Sequence, residues 1–89
     1  MANAKKQNVW VIDTTGAITE SMVIRSVKLV GTSATLTIKA DDTSGAVVYE
    51  AASDTVQAFN YDHDLGLELR QGSYVTISGT SARAYLYLE

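Results

Sequence analysis

The chain has 89 residues, 46% of them apolar, a net charge of −3, and neither cysteine nor proline. That is a single domain near the lower size limit for a self-sufficient core, with too much apolar content for disorder. The composition excludes disulfides and thiolate metal sites, and a lone histidine excludes a multi-histidine metal centre. The well-mixed charges offer no basic stripe for a phosphate backbone, and no apolar run approaches the roughly 20 residues of a membrane-spanning helix.

The opening eight residues, Met1 to Asn8, carry two lysines but no apolar stretch behind them. They predict a polar arm (residues 1–8) rather than a signal peptide, preceding a single domain over residues 9–89. Val9-Trp10-Val11-Ile12 is a short β-prone run, ended by Asp13-Thr14-Thr15-Gly16, which suits a type I turn; Asp42-Thr43-Ser44-Gly45 is a second of the same kind. From Met22 to Val30 runs the longest candidate strand, with a change of apolar phase that predicts a bulge near Arg25 or Ser26.

The segment Val27 to Ile38 then reappears as Val75 to Leu86, each with an alternating apolar run on either side of Gly-Thr-Ser. Read locally, each copy is a hairpin with a Gly-containing loop. Between the copies, Ala46 to Ala52 reads as a strand, Asp54 to Phe59 as a weaker one, Asn60 to Asp64 as a polar loop, and Leu65 to Leu69 as a clear strand. Gln71-Gly72-Ser73 turns into the second copy. No segment sustains a helical apolar stripe. The expectation is an all-β fold, an antiparallel β-sandwich or small barrel of seven to eight short strands.

Chemistry-bearing patterns are sparse. A serine nucleophile needs a base, and His63 is the single ordinary candidate; no Gly-x-Ser-x-Gly elbow is present. The six glycines stand singly at turn positions, so no phosphate loop forms. The loop residues Tyr61, Asp62, His63 and Asp64 are the most polar cluster and form a candidate sugar- or metal-binding set. Adjacent residues on extended chain point in opposite directions, however, which limits how many could share one ion. No cofactor and no small-molecule substrate is expected.

Aligning the two copies sets Ala34, Leu36, Ile38 and Ala40 against Ala82, Ala84, Leu86 and Leu88, all expected inward. The outward row Thr35, Thr37, Lys39 becomes Arg83, Tyr85, Tyr87, and Ser26 becomes Tyr74. If the hairpins are built alike, Tyr74, Arg83, Tyr85 and Tyr87 share one outer face. Tyr and Arg are favoured at protein interfaces because they bury large area while keeping a polar end. Small β-domains without staples also gain stability by association, so a homo-oligomer is expected.

The pattern as a whole resembles the small all-β structural proteins of tailed bacteriophage particles. The resemblance is carried by Val9 to Thr14, Ile24 to Gly31, Ala34 to Asp41 leading to Gly45, Gly66-Leu67, and Ala84 to Leu88. It implies a non-enzymatic virion protein made in a bacterial host cytoplasm. Such a protein self-associates and docks on other virion proteins, either as capsid decoration or cement or in the tail or head–tail region. It assigns no functional residue. The alternative from the residues is a carbohydrate-binding module or adhesin using the 60–64 loop, and a small enzyme is a third, weaker reading.

Overall fold

A computed structural model describes residues 3–41, 45–54, 59–62 and 65–89. They contain eight antiparallel strands: β1 (Ala4–Lys6), β2 (Val9–Ile12), β3 (Gly16–Ile18), β4 (Met22–Ala40), β5 (Val47–Ala52), β6 (Phe59–Asp62), β7 (Leu67–Leu69) and β8 (Ser73–Leu88). All belong to one open sheet ordered β1-β2-β8-β4-β5, with β3 added to β8 and with β6 and β7 added to β4. The expected all-β class and antiparallel pairing are present. The strands are not all short, because β4 has 19 residues and β8 has 16.

Those two strands carry the fold. At about 3.3 Å per residue, a straight 19-residue strand would span roughly 60 Å. The molecule's longest dimension is 35 Å, so β4 must bend. The bend sits at the repeated Gly-Thr-Ser. Gly31 and Gly79 have φ of 131° and 123°, and Ser33 and Ser81 have φ of 49° and 54°. The β4–β8 register shifts on both sides of the pair Thr32–Thr80. A glycine followed by a left-handed residue turns an extended chain sharply without ending it.

The two Gly-Thr-Ser segments are therefore corners, not hairpin loops. Each copy pairs with the other copy instead of with itself, and the pairing repeats with local two-fold symmetry. Val27 lies opposite Leu86, and 48 positions on, Val75 lies opposite Ile38; Leu29–Ala84 is matched by Ile77–Leu36. At the crossing the backbones nearly touch. A Cβ on Gly31 would lie 2.8 Å from Ala82 Cα, and one on Gly79 would lie 2.5 Å from Ala34 Cα. Glycine is required here twice over, for its φ and for the missing Cβ.

Shorter strands flank the bent pair and break where it bends. Along β4 run β5, β6 and β7 in chain order, pairing with its C-terminal, middle and N-terminal parts. Along β8 run β2 and β3. Hydroxyls stitch the breaks. Ser53 Oγ donates to Gly31 O at 2.5 Å and accepts from the Ala34 N–H at 3.0 Å. Thr15 Oγ1 accepts from the Ile77 N–H at 3.1 Å. The Asp13–Gly16 segment thus ends β2 without reversing the chain, since β3 continues in the same direction along β8.

Doubling the sheet over brings its inner rows into one core drawn from both halves: Ile12, Ile24, Leu29, Leu36, Ile38 and Leu86 are all fully buried or nearly so. The inward rows read from the alternation hold at Ala34, Leu36, Ile38, Ala84, Leu86 and Leu88, while Ala40 and Ala82 are only partly buried. The bulge expected near Arg25 appears as a register shift between Ile24 and Ser26.

Three expectations change. Residues 4–6 are no free arm but a strand on β2. Asn3 anchors it, because its Oδ1 accepts from the N–H groups of Asp13 and Thr14 at the break between β2 and β3. Asn60 to Asp62, read as loop, belongs to β6, because Val27–Val30 offers an open strand edge that local polarity does not reveal. Of the expected Leu65–Leu69 strand, Leu67–Leu69 forms β7. The Asp42–Gly45 turn and most of the Asp54–Phe59 strand lie outside the described residues.

Candidate docking face

The bend divides the outer surface into two halves. One half comprises β1, β2, β6, β7 and the ends of β4 and β8 that precede and follow their corners. The other comprises β3, β5 and the remaining parts of β4 and β8. Within a sheet, residues in register across neighbouring strands share a face. The register therefore places Ala4, Val11, Tyr85, Lys28 and Tyr61 in one outward row of the first half. The adjacent row runs Lys6, Val9, Tyr87, Ser26, and Arg83 lies opposite Val30 on the other side.

Tyr61 and Tyr87 meet across β4. Their strands are not neighbours, and at about 4.8 Å per strand their backbones lie roughly 10 Å apart. Yet the ring centroids are 6.4 Å apart at 76°, an edge-to-face contact. Between them stands Ser26, a small residue in the outward row that is only 4% exposed. The small serine side chain leaves room for the two rings to approach. Such a ring pair contributes about 0.5–1.5 kcal/mol beyond the area it buries. Arg83 stands two residues before Tyr85 on the same side of β8, and the phenol, with the charge of Asp13, raises its pKa above the ordinary value. The result is a face of tyrosine, valine and cationic side chains.

The second half has a different outer surface. Thr35 lies opposite Ser78, with their hydroxyl oxygens 2.7 Å apart, and Thr37 lies opposite both Thr76 and Glu50. These hydroxyls are partly satisfied within the sheet.

Of the four residues expected to share a face, Arg83, Tyr85 and Tyr87 do so. Tyr74 does not. It pairs with Ala17 and Lys39 in the second half, beyond the Gly79–Ser81 corner. The hairpin reading joined it to the others by assuming that each copy folds on itself. Tyr61, which the alternative loop contributed, instead joins the tyrosine face. Asp62 points to the opposite side of β6 and accepts a short hydrogen bond from the Tyr49 phenol on β5. Burial, then this bond to a carboxylate, pushes the Tyr49 pKa well up. The described part of the loop set is thus split between two faces, and His63 and Asp64 lie outside the described residues.

Sequence reasoning missed Val9, Val11 and Lys28 as members of the face. Their alternation marks them as outward, but only the register of β2 and β4 against β8 brings them beside the tyrosines. Among the described residues no cluster of three acidic or histidine side chains is placed to hold a metal ion. The chain matches no protein-family model, no curated protein and no solved structure.

Proposed function

We propose that this chain is a non-enzymatic structural protein of a tailed-phage virion. It docks on the capsid, or on the tail or head–tail region, through the face built by Tyr61, Arg83, Tyr85 and Tyr87, and it associates with copies of itself. The observation that carries the reading is the asymmetry of the two halves. One frame, repeated by local symmetry, carries Thr35, Thr37, Thr76 and Ser78 on one outer surface, with Tyr74 and Lys39 at its far end, and gathers Tyr61, Tyr85, Tyr87 and Arg83 on the other. Tyrosine and arginine are the side chains that contribute most at protein interfaces, the tyrosine ring because it is large, flat and buried at low entropic cost. Self-association would use a strand edge. On β5, which ends the sheet order, Val47 and Val48 are 48% and 38% exposed, and exposed apolar edges favour pairing with another strand.

Density-gradient purification of particles from an infected culture, followed by mass spectrometry, tests the assignment. The chain is expected at stoichiometric levels in the particle band, and its absence there overturns the reading. Sedimentation velocity of the purified protein is expected to show an oligomer. No observation favours the sugar-binding alternative, since Tyr61 and Asp62 are engaged on opposite sides of β6.

A further inference from the structure

The tyrosine face has a sign as well as a shape. Lys6, Lys28 and Arg83 all stand on it in register, three of the seven basic residues in a chain of net charge −3. Lys28 sits between Tyr85 and Tyr61 in the same row, and Lys6 lies across Val9 from Tyr87. Among the described residues, the acidic groups near the face are at its margins: Glu68, outward on β7 opposite Val23, is paired with Arg70. Asp13, beside Arg83, lies at the break after β2, and Glu89 follows the end of β8, its N–H donating to Val23 O. Asp62 is turned to the other side, held by Tyr49.

We propose that the occupant of this face is an acidic protein surface, with carboxylates set against Lys6, Lys28 and Arg83 around an apolar and aromatic centre, and not a second copy of the same face. Two such faces packed together would bring six cations into a low-dielectric interface with no carboxylate of the described residues in their midst, and like charges there cost several kcal/mol. Self-association therefore falls to another surface, such as the β5 edge. A single-stranded nucleic acid also favours tyrosine and cations. It needs a continuous cationic track along its backbone, however, and the valines Val9, Val11 and Val30 interrupt one here. This inference rests on the docking reading above and names the chemistry of the partner.

The test is an amide-resolved NMR titration of the full chain with a glutamate-rich glutamate–tyrosine copolymer, and separately with oligo-dT. With the copolymer, shifts are expected in β2, β6 and the part of β8 after its corner. Raising NaCl from about 0.05 to about 0.5 M is expected to weaken binding by about tenfold or more. Lys28→Glu and the more exposed Lys6→Glu are expected to weaken it, while Lys39→Glu on the other half leaves it unchanged; dispersed spectra confirm that each variant is folded. Shifts spread over both halves, insensitivity to Lys6→Glu and Lys28→Glu, no binding at millimolar copolymer, or tighter binding of oligo-dT each overturn the inference. A chain found in particles but silent in this titration leaves the virion reading standing and removes this one. A chain absent from particles that binds as described does the reverse.

Discussion

The two halves of this molecule are built from the same strand pair on either side of one corner, and they differ in what they offer to a partner. In one, Thr35, Ser78, Thr37 and Thr76 form a polar, partly self-bonded patch, with Tyr74 beyond it. In the other, Tyr85, Tyr87 and Tyr61 share one outward face, and the rings of Tyr61 and Tyr87 meet edge to face. The inner rows do not differ in this way. Ile38 and Leu86, related by the local symmetry, are both fully buried. Positions that build the core are thus held alike, while outward positions are free to differ, because the pleat sends alternate side chains to opposite sides.

The comparison breaks most completely at the corner both halves share. Gly79→Ala places a Cβ against the Ala34 backbone at a positive φ and is expected to cost about 3–5 kcal/mol in urea denaturation. Gly16→Ala meets nothing within 4 Å and is expected to stay within about 0.5 kcal/mol. Equal losses from the two would mean the corner is not a backbone contact.

The symmetry of the core is tested by Ile38→Ala and Leu86→Ala, one in each half. Each is expected to lose about 2–4 kcal/mol, and to lose the same amount within about 1 kcal/mol. A large loss for one alone would show that the halves unfold separately.

Tyr49→Phe cuts the bond between β5 in one half and Asp62 on β6 in the other, at an expected cost of about 1–2 kcal/mol at neutral pH. The pH dependence follows from the raised pKa. The folded state holds the phenolic proton above the pH at which the unfolded chain releases it. The contribution is therefore full below the ordinary tyrosine pKa of about 10 and lost as pH rises toward the folded value. Denaturation midpoints measured across that alkaline range are expected to fall more steeply in the native protein than in Tyr49→Phe.

The smallest effect on stability separates the outer surfaces. Tyr85→Ser with Tyr87→Ser is expected to cost about 1–2 kcal/mol and to abolish docking on particles with the fold intact. Thr35→Ala with Thr37→Ala is expected to cost about 0.5 kcal/mol and leave docking unchanged. Unfolding of the tyrosine variant would show those rings to be structural instead.

Much of this was legible one residue at a time. Alternation identified the strands and their inward rows, the phase change located the bulge before Ser26, and the tyrosine row on β8 stood out against its threonine counterpart. Membership of the face was not legible for Val9, Lys28 or Tyr61, because each reaches it through a partner strand far away in sequence. Tyr74 was misplaced for the same reason.

The Gly-Thr-Ser repeat shows where the boundary lies. By itself the sequence determined that the chain changes direction at Gly31 and Gly79, because glycine followed by a residue able to take a left-handed conformation permits little else in an alternating strand. Whether that change closes a hairpin or bends a continuous strand is not a local property. Both draw on positive φ at glycine and serine, and the choice depends on whether Thr32 finds Thr80 opposite it, 48 residues away. Tertiary pairing chose the corner, since crossing the two copies there brings most of their inner rows into one core. That same choice parted Tyr74 from Tyr85 and Tyr87 and brought Tyr61 to them.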